Sequence, residues 1–189
     1  EKVKETIVRN KLDGLVVVGG DDSNTNAAFI AEYLERERVN CSVIGIPKTI
    51  ENDISATDHC PGYGSAVKFI GATVKELALD AEAIGQGDLV TLIEVMGRNT
   101  GWLAAGASLA KRRDHPNDPP HLVYVPEVPF TNEKFLDDVR RALKREKHCV
   151  VVVGEGLVDK DGNYVAVETS SNDAAGHTSA HANALSLTS

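Results

Sequence analysis

Five short runs rich in β-branched residues alternate along this chain with longer segments in which apolar residues recur at helical spacing. The runs are Gly14–Val18, Cys41–Ile46, Leu89–Val95, Leu122–Val125 and Cys149–Val153. Strands that alternate with helices are typical of a parallel sheet with right-handed crossovers. The pattern therefore predicts a three-layer α/β fold with mainly parallel, doubly wound sheets, in which Cys41–Ile46 is a buried strand.

Apolar spacing and capping residues predict where the helices lie. Residues 1–11 suit a helix, and Ser23 or Asn24 is expected to cap the next one. In the long helix from about residue 64, one face is expected to be buried, made of Val67, Ile70, Val74, Leu77, Ala81 and Ile84. Trp102 is expected in the core, at the start of an Ala-rich helix, and Thr131 is expected to cap the last helix.

Charge and cysteine usage argue against several classes of protein. The 20 basic and 28 acidic residues give a net charge of −8, without a Lys/Arg stripe interleaved with aromatic residues, so no nucleic-acid partner is expected. No apolar run approaches the roughly 18 residues that cross a bilayer, so no membrane partner is expected. Three widely spaced cysteines predict free thiols in a reducing compartment, which we take to be the cytoplasm, and the six histidines lack ligand spacing.

The most informative loop follows the second apolar run. Within a few residues it carries the cation of Lys48, the hydroxyl of Thr49 and the carboxylates of Glu51 and Asp53. Ligands of open α/β sheets bind outside the carboxyl ends of the strands. Because these ionisable groups are not needed to turn the chain, the loop predicts part of a functional site.

Three further strand ends combine glycine with a charged residue. They are Gly19-Gly20-Asp21-Asp22, Met96-Gly97-Arg98 and Gly154-Glu155-Gly156. Each motif alone is typical of an ordinary turn. Together with the preceding loop they place chemistry at four strand ends, which favours a binding site over coincidence.

These residue types suit phosphoryl transfer. Glycines such as Gly20 let backbone N–H groups approach a phosphate, and the N-terminus of the next helix adds its dipole. Two adjacent carboxylates would repel that phosphate unless Mg²⁺ bridges them, which makes Asp21 a candidate metal ligand. Lys48 would offset charge on the phosphoryl group, while Glu51 or Asp53 would accept a proton from a sugar hydroxyl.

In this order and spacing, the four motifs together with Thr57-Asp58 resemble the phosphofructokinase family, as far as about residue 160. Diphosphate-using members carry Asp and Lys at the positions of Asp22 and Lys48. The resemblance therefore implies transfer of a phosphoryl group from diphosphate to the 1-hydroxyl of fructose 6-phosphate in glycolysis, with Mg²⁺ as cofactor. Two alternatives stay open: ATP as the donor, or an inactive fragment that binds the sugar phosphate.

The resemblance also implies a role for each residue. Asp21 aligns with the metal-site aspartate, Gly20 and Asp22 with the donor site, and Lys48, Glu51 and Asp53 with the catalytic loop, where Lys48 also selects the donor. The residues implied to bind fructose 6-phosphate are Thr49, Glu51, Met96, Gly97, Arg98 and Glu155. One of the departures from the family pattern concerns the general base, which is normally Asp in the family and is the longer Glu51 here.

The resemblance finally implies that the 189 residues are a central piece of a longer enzyme with two Rossmann-like half-domains. Residues 1–60 would belong to the diphosphate domain and residues 61–175 to the fructose 6-phosphate-binding domain. Residues 176–189 are expected to be an irregular tail. The family's habit of assembling implies a homo-oligomer, a dimer or larger.

Overall fold

The structure is a computed structural model that describes residues 1–84, 89–165, 167–172 and 178–182, the last two ranges by their backbone. Its helices are α1 Lys2–Asn10, α2 Asp21–Arg36, α3 Tyr63–Ile84, α4 Trp102–Gly106, which continues as a 3₁₀ turn over Ala107–Ala110, and α5 Asn132–Glu146. Its strands are β1 Gly14–Gly19, β2 Ser42–Pro47, β3 Val90–Val95, β4 Leu122–Tyr124, β5 Cys149–Gly154, β6 Val167–Asn172 and β7 Thr178–Ala182.

The first five strands form two parallel sheets. We call the pair β1–β2 the first sheet, and the three strands in the order β3–β5–β4 the second sheet. In the first sheet Gly19 lies beside Pro47, and in the second Val95 lies beside Gly154, so neighbouring strands end level with one another. The predicted α/β class with parallel strands is confirmed.

The second sheet is the middle of three layers. Its central strand β5 is buried along its whole length, with Val150–Val153 at most 2% exposed. On one face it packs against the buried side chains of α5, and on the other against Val74 of α3 and the alanines of α4 and the following turn. A run of four valines in one strand therefore forms the centre of the core, where each buried side chain contributes about 1.5–3 kcal/mol.

The first sheet is covered on one face only within the described part of the chain. Helix α2 buries Ala27 and Leu34, and a Cβ added at Gly45 of β2 would meet the side chain of Asn24. The side chains that point the other way are 41–60% exposed: Val16, Val18, Ile44 and Ile46. The expectation that Cys41–Ile46 is a buried strand is therefore wrong, because apolar composition does not by itself supply a covering layer.

Helix α2 begins earlier than the sequence pattern indicates. Its N-cap is Gly20, with no side-chain cap, so the prediction of Ser23 or Asn24 as the cap is wrong. Asn24 instead donates from Nδ2 to the carbonyl oxygens of Gly19 and Gly20, at 2.8 Å each. The Asn24 side chain, in the first turn of α2, therefore stabilises the turn between β1 and α2.

The buried faces of α3 and α4 also differ from the prediction. In α3 the buried residues are Val67, Gly71, Val74, Ala78 and Ala81. Leu77 is 39% exposed and Ile84 is 53% exposed. The buried face instead includes the small residues Gly71, Ala78 and Ala81, which allow close packing against the core. Trp102 is also 51% exposed, which corrects its placement in the core.

The remaining predictions have mixed outcomes. Thr131 caps α5 as predicted, since its side chain accepts a hydrogen bond from the Lys134 N–H at 3.3 Å. The backbone of β6 and β7 forms an antiparallel pair, so Thr178–Ala182 is a strand inside the segment expected to be an irregular tail, residues 176–189. Among the described residues, no helix is both long and apolar enough to cross a membrane.

Candidate active site

A cleft of about 740 Å³ lies where the carboxyl ends of the two sheets meet. Segments that follow β1, β2, β3 and β5 all contribute to its wall, as expected for ligand sites in α/β sheets. The lining residues are Gly20, Asp21, Lys48, Thr49, Ile50, Glu51, Asp53, Ile54, Met96, Arg98, Asn99 and Glu155. The four charged strand ends predicted from the sequence therefore share one cavity.

The part of the cleft beyond the first sheet is lined by a cation, Lys48, and a carboxylate, Asp21. The Lys48 N–H donates to the Gly19 carbonyl at 2.7 Å, which extends the strand pairing by one residue past β2. Asp21 follows Gly20 directly and lies in the first turn of α2. This wall therefore offers the Lys48 ammonium, the Asp21 carboxylate and the helix N-terminus to one ligand.

The loop after β2 is held by hydrogen bonds at several points. The Glu51 N–H donates to Thr49 Oγ1 at 3.1 Å, and Thr100 Oγ1 donates to the Glu51 carbonyl at 3.0 Å. The second bond crosses from the segment after β3 to the segment after β2. It fixes the backbone of Glu51 relative to both sheets.

The part of the cleft beyond the second sheet depends on close backbone contacts. The Glu155 N–H donates to the Val95 carbonyl at 3.0 Å, which places Glu155 beside the segment that carries Met96 and Arg98. A Cβ added at Gly156 would lie 1.9 Å from the Arg98 carbonyl oxygen, so only glycine permits this approach. The two loops therefore present Arg98 and Glu155 to the same cavity.

Two predicted site residues do not line the cleft. Gly97 is buried, with a φ of 133°, and a Cβ there would lie 2.4 Å from the Thr100 carbonyl oxygen. Its place is structural, because it lets the loop turn between Met96 and Arg98. Asp22 is exposed in the first turn of α2, next to Asp21 but outside the lining.

Electrostatics single out Glu51. Burial raises the pKa of its carboxyl, and the neighbouring charges of Asp53 and Glu155 raise it further. A hydrogen bond from the Arg98 backbone and the positive charge of that residue act in the opposite direction. A carboxylate whose pKa is raised in this way is a better proton acceptor than an ordinary glutamate.

The donor set of the cleft fits a Mg²⁺ ion held mainly by a substrate. Within the described residues, no three side chains of the His, Cys, Asp and Glu types are clustered closely enough to hold a metal. Mg²⁺ in phosphoryl-transfer sites is ordinarily bound by one or two carboxylates with water and substrate phosphates. The exposed carboxylate of Asp21 in the cleft wall meets that requirement.

Sequence reasoning missed three lining residues and one supporting residue. Ile50, Ile54 and Asn99 line the cleft, and Thr100 holds the Glu51 carbonyl. Asn99 and Thr100 directly follow the Met96-Gly97-Arg98 motif, so continuing that motif by two residues would have found them. The two isoleucines carry no chemical signal that separates them from core residues.

Comparison with known proteins identifies the family. Residues 1–186 match the family described as phosphofructokinase. The chain belongs to the phosphofructokinase family. This confirms the resemblance that the strand-end motifs carried.

Three similar proteins indicate where in the family the chain stands. It is 38% identical over 178 residues to the pyrophosphate–fructose 6-phosphate 1-phosphotransferase of Xanthomonas campestris pv. campestris, covering 94% of this chain and 42% of that one. It is 34% identical over 151 residues to the sulfofructose kinase of Alkalicoccus urumqiensis, covering 80% and 39%. The crystal structure of the pyrophosphate-dependent phosphofructokinase of Marinobacter aquaeolei superposes with a TM-score of 0.72 at 36% identity, covering 82% and 40%. The chain thus spans less than half the length of these relatives.

Proposed function

We propose that this chain carries the site of a phosphotransferase that moves a phosphoryl group from diphosphate to the 1-hydroxyl of fructose 6-phosphate. The observation that supports this most is the single cleft lined by Asp21, Lys48, Glu51, Arg98 and Glu155. The similar protein from Xanthomonas is named pyrophosphate–fructose 6-phosphate 1-phosphotransferase, and the one from Marinobacter is named pyrophosphate-dependent phosphofructokinase. The residue roles below are part of the proposal.

The donor is assigned to the wall beyond the first sheet. Lys48 supplies a positive charge to diphosphate, and the uncapped N-terminus of α2 at Gly20 supplies backbone N–H groups. Asp22, exposed next to Asp21, is proposed to disfavour a nucleotide through its negative charge and bulk. The combination favours the small, highly charged diphosphate over ATP.

The acceptor is assigned to the wall beyond the second sheet. Arg98 binds the 6-phosphate, since a guanidinium matches phosphate geometry in two parallel hydrogen bonds. Glu155 accepts hydrogen bonds from sugar hydroxyls, while Thr49 and the exposed Met96 complete the contact surface. Gly97 acts through the loop shape that it permits.

The proton of the attacking hydroxyl is assigned to Glu51. Its raised pKa and its place between the two walls suit a general base, and the negative charge of Asp53 raises the proton affinity of Glu51. Asp21 would hold Mg²⁺, which when bound offsets negative charge on the transferring phosphoryl group. The chain itself contributes positioning, a proton acceptor and the cation of Lys48.

The donor and acceptor residues fall mainly in two successive parts of the chain. Residues 1–60 hold the first sheet and the donor-side residues, and residues 61–175 hold the second sheet and most acceptor-side residues. We assign these ranges to donor and acceptor domains of a longer, cytoplasmic enzyme. Assembly into a homo-oligomer stays a prediction.

The test is a coupled assay of fructose 1,6-bisphosphate formation, with diphosphate and ATP in parallel arms. It is run on the parent chain, on Glu51→Asp and on Asp22→Gly. We expect turnover with diphosphate in the parent, and a shift toward ATP in Asp22→Gly. Calorimetry with fructose 6-phosphate accompanies the assay.

The outcomes of the assay and of the calorimetry distinguish the proposed function from its alternatives. Turnover with ATP alone would replace the donor assignment. Sugar-phosphate binding without turnover in the parent, with turnover restored in Glu51→Asp, would assign the loss to the longer side chain. Binding without turnover in every variant would support a binding fragment, and a folded chain with neither binding nor turnover would overturn the proposal.

A further inference from the structure

One polar side chain is buried inside the loop that carries the two central carboxylates. Asn52 is 7% exposed, and it is the single buried polar or charged residue among those the structure describes. It stands between Glu51 and Asp53, which both line the cleft. Buried polar groups are retained where hydrogen bonds satisfy them, so the partners of Asn52 show what it holds.

The Asn52 side chain is bonded at both ends. The Cys60 N–H donates to Oδ1 at 2.8 Å, and Nδ2 donates to the Asp58 carbonyl at 3.2 Å. Cys60 is fully buried, at 0% exposure, just before α3 begins. These two hydrogen bonds connect the loop that carries Glu51 and Asp53 to the segment that leads into α3.

The backbone at Asn52 adds a second constraint. Its φ of 57° lies in the left-handed region, which costs most side chains about 1–2 kcal/mol and which asparagine tolerates better than most. The chain direction therefore changes at the residue between the two carboxylates. The side-chain bonds to Asp58 and Cys60 keep the backbone in that conformation.

We propose that Asn52 is the positioning residue of the site, which holds Glu51 and Asp53 at the wall of the cleft. The consequence for catalysis rests on the proposed function, in which Glu51 is the general base. Thr100 still bonds the Glu51 carbonyl when Asn52 is replaced, so we expect the loop to stay attached at that point while the Glu51 and Asp53 side chains shift within a folded protein. A displacement of roughly 1 Å lowers reaction rates about a hundredfold.

The test compares Asn52→Gly with Thr131→Ala. Glycine adopts the left-handed conformation freely, so Asn52→Gly removes the two side-chain bonds without adding backbone strain. Thr131→Ala removes the cap of α5, far along the chain from the cleft, and serves as a control for loss of stability alone. We expect kcat to fall on the order of a hundredfold in Asn52→Gly and to stay at the parental value in Thr131→Ala.

The pH profile separates positioning from reduced folding. Burial is the main cause of the raised pKa of Glu51, with Asp53 and Glu155 adding to it and Arg98 opposing it. A loosened loop exposes Glu51, so the acid limb of kcat is expected to move to lower pH in Asn52→Gly. A smaller folded fraction would lower the rate most at acid pH, where His121 makes the chain least stable, and so would not move the acid limb to lower pH. An unchanged profile with parental kcat would overturn the proposal.

Amide hydrogen exchange gives a readout that does not need activity. We expect the Glu51 N–H, which is bonded to Thr49 Oγ1, to exchange at least about tenfold faster in Asn52→Gly and at the parental rate in Thr131→Ala. If the parent neither binds fructose 6-phosphate nor turns over, the proposed function fails, and this exchange alone decides whether Asn52 positions the loop. Parental exchange of Glu51 in Asn52→Gly would overturn the inference.

Discussion

The two sheets reach the same cleft from very different surroundings. In the second sheet, the valines of β5 are at most 2% exposed between two helical layers. In the first sheet, Val18 is 60% exposed and Ile44 is 59% exposed, although both belong to equally apolar strands. The wall beyond the second sheet thus stands on a closed core, whereas the wall beyond the first sheet stands on a sheet that the described residues cover on one face only.

This difference shows where the geometry of the cleft comes from. Beyond the second sheet, close packing fixes the loops, as at Gly156 against the Arg98 carbonyl. Beyond the first sheet, individual hydrogen bonds fix the loops. Asn24 holds the β1–α2 turn, and Asn52 and Thr100 hold the loop that carries Glu51 and Asp53. Substitutions should therefore affect stability most in the second sheet and activity most in the loop between the walls.

The largest effect is expected for Glu51→Gln. Loss of the proton acceptor should lower kcat about 10²- to 10⁴-fold. Stability at neutral pH should not fall, because the raised pKa means that folding favours the neutral carboxyl, and its ionised form opposes folding above that pKa. Steady-state kinetics and denaturant unfolding of the same variant measure both quantities, and a variant that keeps its rate would remove Glu51 from the mechanism.

The next effect compares a matched pair of valines. Val152→Ala in β5 should lower the free energy of unfolding by about 2 kcal/mol, because it leaves a cavity in a closed core. Val18→Ala in β1 should cost less than about 0.5 kcal/mol, because that side chain is 60% exposed. Equal costs in urea unfolding would show that the open face of the first sheet is covered in solution.

Acid should weaken the second sheet before the first. His121 Nδ1 accepts the Val150 N–H at 2.8 Å, and burial followed by the nearby His148 lowers the pKa of His121 from 6.5 to about 4. The unfolded chain binds a proton as the pH falls through 6.5 while the folded His121 stays neutral, so stability is lost on acidification. We expect a loss of about 1 kcal/mol between roughly pH 7 and pH 5.

His121→Asn tests this directly. An asparagine oxygen can accept the Val150 N–H without titrating, so the variant should lose most of the pH dependence over that range. Chemical unfolding at a series of pH values measures it. A parental pH dependence in His121→Asn would assign the acid sensitivity to other groups.

The sequence predicted the strands well because each strand is a contiguous run of a few residue types. All five runs became strands with ends that differ by a residue or two, and charged residues that follow four of them line one cleft. Motif order also identified the family. These features depend on local composition and on the general rule that parallel strands end at one edge.

Features that depend on tertiary contacts could not be predicted in this way. The open face of β2 depends on which layers cover the sheet, and the α3 face depends on how closely small residues pack. His121 carried no ligand spacing, yet it is partly buried against β5. Asn52 gave no signal in the sequence, because its partners lie six and eight residues further along the chain.

The last prediction concerns the N-termini of α2 and α5. Helix α5 is capped by the Thr131 side chain, whereas α2 begins at Gly20 without a side-chain cap and faces the cleft. Thr131→Ala should therefore cost about 1 kcal/mol and should leave the response to diphosphate unchanged. The uncapped N–H groups of α2 remain available to a phosphate, so diphosphate should raise the unfolding temperature of the parent and of Thr131→Ala by the same amount. Thermal unfolding with and without diphosphate and Mg²⁺ measures both values, and an absent shift in the parent would move the donor away from the first sheet.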